Sequence, residues 1–209
     1  AYFNSRNEVS IPQRIVMNLM PNIIHDTSEG LVRVPILDEM FQHREIECVG
    51  EITQESVYSL ILQLRYLQRK DPHEGITLFI NSPGGEVSSG LALYDVLRAV
   101  KCPVRTVCVG LAASMAALLF AVGNQRDILP HARVMIHDPL ISGGIGGSAL
   151  QLDNLAKDIM RVRETTASII AEHSGHTLEE VLAKTATDSF FSAQEAIDWG
   201  LADHIIYEL

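Results

Sequence analysis

Within GLAASMAA, residues 110–117, the chain passes from an apolar run into a run of small residues. The residues just before it, 104–109, are rich in β-branched side chains, a pattern that predicts a buried strand. The small residues that follow predict a buried helix that ends at Gly123. Ser114 is therefore predicted to lie where a strand turns into a helix.

The same alternation of strand and helix extends through much of the chain. Strands are predicted at 44–49, 76–80 and 104–109, and each is followed by a helical pattern. This order implies parallel strands joined by right-handed crossovers, and therefore an α/β fold. Residues 21–38 fit either a loop or a short hairpin. Further predicted elements are a short helix at 36–41, strands at 128–129, 133–136 and 204–207, a long helix at 149–173, and two short helices that begin at the capping boxes of Thr177 and Ser192.

Composition limits the functions open to the chain. Its 209 residues suit one domain at 21–209, preceded by a tail or processed leader at 1–20. The net charge of −10 and the lack of a basic run argue against nucleic acid and anionic membranes. No apolar stretch approaches the ~18 residues of a membrane-spanning helix. The three cysteines lack metal or redox spacing, which predicts buried free thiols in a reducing compartment.

Ser114 is a candidate nucleophile because of its position. The free N–H groups of a first helical turn can hold a negatively charged oxygen beside the serine. A serine nucleophile needs such a site to stabilise its transition state. The alternative is an ordinary serine in a small-residue helix that packs closely against its neighbours.

A nucleophilic serine also needs a base, and His137 is the candidate because it ends the predicted strand 133–136. Open α/β sheets place ligands at the carboxyl ends of their strands. A satisfied polar histidine is the alternative, and a lysine base is disfavoured because the lysines fall on helix ends or solvent faces. Asp138 and Asp188 are both candidates to orient His137. The side chain of Asp138 should diverge in extended backbone, whereas Asp188 is predicted in a loop between two short helices, from which it could reach His137.

The turn SPGG, residues 82–85, ends another predicted strand. Two consecutive glycines let backbone N–H groups approach a ligand, so the turn is either an oxyanion donor or a plain turn. His173 and His176 have a spacing seen in metal sites, but Gly175 interrupts the helix and no carboxylates join them. No metal is predicted.

Four motifs in order resemble the Clp protease proteolytic subunit (ClpP) family: FINSPGG at 79–85, GLAASMA at 110–116, RVMIHDP at 133–139 and DSFFSA at 188–193. The resemblance runs from about residue 21 to the end. It implies a crotonase-like right-handed spiral of β-α-β units with a projecting strand-helix handle at about 138–175. It also implies a serine endopeptidase in which the site residues are Ser114 as nucleophile, His137 as general base, Asp188 as orienting carboxylate, and the N–H groups of Gly85 and Met115 as the oxyanion hole.

The resemblance further implies how substrate and partners are arranged. An extended substrate would lie along Gly84, Glu86 and Val87 on one side and Leu140, Ile141 and Ser142 on the other. Two stacked heptameric rings would form, from this chain alone or mixed with a second subunit of the same type. A hexameric AAA+ ATPase would consume ATP and deliver unfolded chains, so this chain needs no cofactor. The expected compartment is the bacterial cytoplasm, or an organelle stroma or matrix.

Some positions depart from the family pattern. Thr187 stands where a basic residue tied to ring–ring contact is usual. Phe79 matches one aromatic residue of the ATPase-docking pocket, while Thr77 and Ala99 replace others, which predicts weaker docking or a mixed particle. Two other functions remain as alternatives: a largely structural subunit of such a particle, or a crotonase-fold acyl-CoA enzyme, whose acidic pair and basic CoA contacts are not evident.

Overall fold

The computed structural model describes residues 20–141 and 146–209, which fall into two compact units, divided along the sequence between His43 and Arg44. The described part of the first unit is an antiparallel hairpin of β1 (Asn22–Thr27) and β2 (Gly30–Pro35), followed by helix α1 (Ile36–Gln42). Of the two alternatives for residues 21–38, the hairpin is therefore the one formed. The predicted tail lies outside the described residues, except for Met20.

The second unit is built on a largely parallel sheet. Its main path runs β3-β4-β5-β6-β9, and every neighbouring pair on this path is parallel. Strand β7 pairs parallel with β5, and β8 pairs antiparallel with β7. The strands are β3 (Glu45–Val49), β4 (Ile76–Ser82), β5 (Val104–Ala113), β6 (Gln125–Ile128), β7 (Arg133–Ile136), β8 (Ser189–Phe191) and β9 (His204–Ile205).

Helices pack around this sheet through buried apolar side chains. The first, α2, begins after Thr53, whose hydroxyl accepts a hydrogen bond from the Ser56 N–H, and it buries Leu60, Leu64 and Leu67. Burial of each such side chain contributes about 1.5–3 kcal/mol. The helices of this unit are α2 (Gln54–Lys70), α3 (Val87–Ala99), α4 (Met115–Ala121), α5 (Ala149–Ser174), α6 (Leu178–Thr185) and α7 (Ala193–Asp198).

Strand β5 is longer than predicted. Gly110 was expected to end it, but the strand continues to Ala113 and changes partner on the way. Residues 105–108 pair with β6, whereas residues 111–113 pair with β7. Gly110 lies between these stretches with φ +87, and a Cβ there would lie 3.0 Å from Asn81 Oδ1. The glycine therefore allows the strand to change partner rather than ending it.

Helix α5 differs along its length. Its first ten residues, 149–158, are exposed, while Ala167, Ile169 and Ile170 near its end are buried. The predicted handle, at about 138–175, thus contains an exposed half-helix, and its residues 142–145 lie outside the described residues. In the ranges described, no helix is both long and apolar enough to cross a membrane.

The prediction of buried free thiols is confirmed. Cys48, Cys102 and Cys108 are all buried and none forms a disulfide. Burial raises the pKa of the Cys48 thiol to about 11 and that of Cys108 to about 12. Both therefore remain neutral thiols at physiological pH and contribute to the core as small apolar groups.

Candidate active site

Strand register brings Ser114 and His137 together. In the parallel pair β5–β7, Ala113 lies beside Met135, and the Ser114 N–H donates to the Met135 carbonyl at 2.8 Å. Both strands therefore end at the same edge of the sheet, where Ser114 and His137 directly follow them. The Ser114 Oγ lies 2.8 Å from the His137 Nε2, which is hydrogen-bond distance.

The antiparallel pair β7–β8 brings Asp188 to the same place. Ile136 pairs with Ser189, so the register carried one residue further sets His137 opposite Asp188. The Asp188 Oδ1 lies 3.2 Å from the His137 Nδ1, an ion-pair distance. The His137 Nδ1 is buried and has no hydrogen-bond partner among the described residues. The Asp188 carboxylate is therefore close enough for an ion pair but is not aligned for a hydrogen bond. The three side chains are thus adjacent, with the second contact loosely aligned.

Ser114 has an unusual backbone conformation. Its φ of 55° and ψ of −124° make it one of two non-glycine residues with positive φ in the described ranges. Such a conformation costs about 1–3 kcal/mol and occurs preferentially at functional sites. The surrounding structure holds it: the Met135 carbonyl accepts from the Ser114 N–H, and every residue of α4 is buried behind it. The hydroxyl is thereby directed toward His137 rather than along the helix.

Gly84 packs directly against the serine. A Cβ on Gly84 would lie 2.7 Å from the Ser114 Cβ and 2.7 Å from the Ala113 carbonyl oxygen, and its φ is +92°. Only a residue without a side chain fits there.

Two backbone amides near Ser114 are available to a ligand. Ile52 uses one edge of the Gly-Gly turn, since its N–H donates to the Gly84 carbonyl and its carbonyl accepts from the Glu86 N–H. The N–H of Gly85 therefore faces the opposite edge. Met115 is the first residue of α4, so its N–H has no acceptor within the helix. Within the described ranges, neither amide donates a hydrogen bond. Such free amides can hold a developing oxyanion.

The residues predicted to contact substrate are only partly extended. Val87 is the first residue of α3, so the extended segment ends at Glu86 rather than at Val87. The Glu86 carboxylate accepts hydrogen bonds from Ser89 and Ser88, which lower its pKa. Leu140 and Ile141 are exposed after β7, and Ser142 lies outside the described residues.

Of the two aspartates considered, Asp138 is engaged elsewhere. Its Oδ2 accepts from Arg163 Nε at 2.6 Å, and its Oδ1 accepts from the Thr185 hydroxyl at 2.7 Å. These contacts tie the segment after His137 to α5 and α6. The roles of Arg163 and Thr185 could not be predicted from the sequence, because both residues belong to ordinary helical patterns without a distinctive local motif.

The two histidines with metal-like spacing have other partners. The His173 Nε2 lies 3.0 Å from the Tyr94 hydroxyl, and burial lowers the His173 pKa. The His176 ring stacks on Trp199 with centroids 4.1 Å apart. In the part of the chain that the structure describes, no cluster of three His, Cys, Asp or Glu could hold a metal ion. Phe79 and Thr77 lie half-buried on one face of β4, and Ala99 is exposed at the end of α3.

A serine, a histidine and an aspartate in contact, beside two free amides on an α/β scaffold, are typical of serine hydrolases. The family model described as Clp protease matches residues 28–208, and the chain therefore belongs to the Clp protease family. Members are serine peptidases of the crotonase-like fold, so the predicted family and fold class are confirmed. The family is generally oligomeric and works with Clp ATPases.

Proposed function

We propose that this chain hydrolyses peptide bonds with Ser114 as nucleophile, His137 as general base and Asp188 as orienting carboxylate. The observation that carries the proposal is the 2.8 Å contact between the Ser114 Oγ and the His137 Nε2. A base at this distance can take the serine proton as the oxygen attacks a carbonyl carbon.

The reaction then follows from the arrangement. His137 receives the Ser114 proton, and the carbonyl oxygen becomes an oxyanion that the N–H groups of Gly85 and Met115 hold. Collapse of this intermediate breaks the C–N bond, and His137 returns the proton to the leaving amine. Water then attacks the acyl-enzyme by the same steps and regenerates Ser114.

Asp188 holds the histidine proton on Nδ1 in this proposal. Its Oδ1 is 3.2 Å from that atom, and its side chain is 64% exposed. Catalytic hydrogen bonds are often poorly aligned without substrate and tighten when substrate binds. In this proposal the exposed carboxylate aligns with the Nδ1 proton when substrate binds and stabilises the imidazolium.

The substrate is an unfolded polypeptide in extended form. The free edge at Gly85 offers a backbone N–H and C=O, and an extended chain pairs with such an edge largely without regard to its side chains. Selection would then come from access to the site. We propose that access is controlled by assembly into two stacked heptameric rings, alone or with a second subunit of the same type, fed by a hexameric AAA+ ATPase in the cytoplasm, stroma or matrix.

The test is reaction of the purified protein with a fluorophosphonate, combined with fluorogenic peptide cleavage. We expect labelling at Ser114, and a Ser114→Ala variant that loses about 10⁴-fold or more of its peptidase activity. Ser59→Ala, which removes an exposed hydroxyl from α2, is the matched control and should behave as wild type.

Three results would contradict the proposal. Retained peptide cleavage by Ser114→Ala would remove Ser114 from the mechanism. A wild-type protein that neither labels nor cleaves, alone or with a partner subunit, would indicate a structural subunit. Turnover of a CoA thioester without peptide cleavage would indicate an acyl-CoA enzyme.

A further inference from the structure

Strand β8 is the short strand that positions Asp188. Its three residues pair with residues 134–136 of β7, and Asp188 directly precedes the first of them. The Asp188 side chain is 64% exposed, so little packing fixes the carboxylate itself. On the other side of the contact, the His137 Nδ1 is buried and has no hydrogen-bond partner among the described residues. The orientation of Asp188 toward His137 therefore depends on how firmly β8 is held on β7.

One face of the β7–β8 pair carries two contacts between the strands. Opposed residues share a face, and every second residue of a strand returns to it. Met135 lies opposite Phe190. Arg133 and His137 lie two residues to either side of Met135. Asp188 lies two residues before Phe190. The contact of Arg133 with Phe190 therefore shares a face with the contact between the proposed base and its carboxylate.

Arg133 contacts the ring of Phe190 across this face. Its guanidinium carbon lies 4.5 Å from the ring centroid, which is a cation–π geometry. The neighbouring helix α7 contributes Glu195, whose carboxylate accepts a hydrogen bond from the Ser192 N–H at 2.7 Å. This bond and the charge of Arg133 lower the pKa of Glu195. The guanidinium is therefore attracted to an ionised carboxylate as well as to the ring, and Arg133 links β7 to both β8 and α7.

Core packing does not account for the pair of Arg133 and Phe190. Phe190 is 48% exposed and Arg133 is exposed as well, whereas the opposite face of the two strands is largely buried. A cation–π contact at an exposed site shifts an equilibrium by about two- to five-fold. An effect of that size is small for the fold, but it is large enough to change how often a carboxylate faces its histidine.

We propose that Arg133 and Phe190 are positioning residues for the Ser114–His137–Asp188 triad. Their contact holds β8 in place on β7, and β8 in turn presents Asp188 to the Nδ1 of His137. The inference rests on the proposed function and adds to it two residues that touch neither the substrate nor the reacting atoms. Without the contact, the exposed Asp188 carboxylate would face His137 less often, and the rate of the chemical step would fall in proportion.

The experiment compares Arg133→Met, which keeps a long side chain but removes its charge, with Arg133→Lys, which keeps a cation. Cleavage of fluorogenic peptides is expressed per active site titrated with fluorophosphonate, so that a misfolded fraction does not count. We expect the kcat of Arg133→Met to fall by about two- to five-fold at unchanged KM, since the contact does not bind substrate. Arg133→Lys should keep most of the wild-type kcat, because a lysine ammonium also binds aromatic faces.

A second set of variants tests whether Arg133 acts through Phe190 and Asp188. Phe190→Leu, which removes the ring but keeps an apolar side chain, should lower kcat as much as Arg133→Met, and the double variant should lose no more than either single one. In an Asp188→Asn background, which lacks the carboxylate to be positioned, Arg133→Met should leave the residual rate of fluorophosphonate labelling unchanged. Arg69→Met is the matched control, because it removes an exposed arginine from the last turn of α2, and it should behave as wild type.

Three results would refute the positioning role: a wild-type kcat in Arg133→Met, an equal loss in Arg133→Lys, or a loss in the Asp188→Asn background as large as in the wild type. A purely structural role of Arg133 would give the last of these results, because it would not depend on the carboxylate. Asp188→Asn itself should lower kcat by about 10⁴-fold. A wild-type kcat in Asp188→Asn would instead refute the proposed function of Asp188, so the two failures are distinguishable.

Discussion

Helix α4 and the first half of α5 both carry apolar side chains at helical spacing, but only those of α4 are covered by the chain itself. All seven residues of α4 are buried. In α5, by contrast, Leu150 is 76% exposed and Met160 is 57% exposed. The contrast shows that helical periodicity predicts a helix without telling whether its apolar side is met by the same chain or by another one.

The largest expected effect is at the start of α4, where Gly84 packs on Ser114. Gly84→Ala would place a Cβ 2.7 Å from the Ser114 Cβ at a φ of +92°. We expect peptidase activity to fall by about 100-fold or more, since small misplacements of reacting groups have effects of this order. Gly75→Ala is the control, because its added Cβ would meet only an ordinary contact at 3.6 Å. Normal activity in Gly84→Ala, measured with fluorogenic peptides, would contradict this account.

The next effect concerns stability. Leu119 in α4 is fully buried, so Leu119→Ala should lower the free energy of unfolding by about 2–5 kcal/mol. Leu150→Ala at the start of α5 should change it by less than about 0.5 kcal/mol, as is usual for exposed sites. Urea denaturation of both variants under monomeric conditions measures the difference. Equal losses would mean that α5 is covered within the chain.

A third prediction concerns assembly. If the exposed apolar side of α5 is covered by a second copy, Leu155→Glu should weaken the oligomer by burying an unpaired charge at the contact. Leu155 is 38% exposed in the chain described here, so folding itself should be little affected. Native mass spectrometry should then show smaller assemblies than for Lys157→Glu, which changes charge on the same helix at an exposed position. Identical assemblies for Leu155→Glu and wild type would separate α5 from the assembly contact.

The smallest effect is expected at the buried end of α5. Burial lowers the pKa of His173 in the folded state, so the folded protein binds fewer protons there than the unfolded chain. The contribution of the neutral His173 to the free energy of unfolding is fully present above the pKa of the unfolded chain, about 6.5. This contribution is lost as the pH falls from that value to the lower pKa of the folded state. His173→Gln should therefore flatten the decline in thermal stability between pH 7 and 5, and His131→Gln, at an exposed position, should not. A decline of unchanged slope in His173→Gln would contradict this assignment.

Much of the fold followed from local patterns. The helix that follows the strand at 44–49, the capping boxes at Thr177 and Ser192, and the strand 133–136 occur as predicted, because caps and periodicity act over a few neighbouring residues. The extension of β5 past Gly110 was missed, since a glycine that allows a change of strand partner has the same local appearance as one that ends a strand.

In the candidate site, too, some features could be predicted from local sequence and others could not. Ser114 and His137 were identified as strand-end residues, and their meeting follows from two parallel strands that end at one edge. Asp188 was predicted to lie in a loop between two short helices, and it does lie between α6 and α7, outside any helix or strand. What the sequence did not reveal is that Asp188 directly precedes β8, a strand of three residues too short to give a periodic signal. Its approach to His137 depends on antiparallel pairing with β7, which only the fold establishes.

The sequence by itself therefore determined the candidate residue types, the helix boundaries and the glycine turn, because each depends on interactions between residues close together in the chain. Only the tertiary structure determined which carboxylate faces His137. Asp138 is hydrogen-bonded to Arg163 and Thr185, whereas the register of β7 and β8 sets Asp188 opposite His137. The tertiary structure also determined which apolar helix faces are covered. Both features depend on contacts between segments distant in the sequence, and no run of neighbouring residues encodes them.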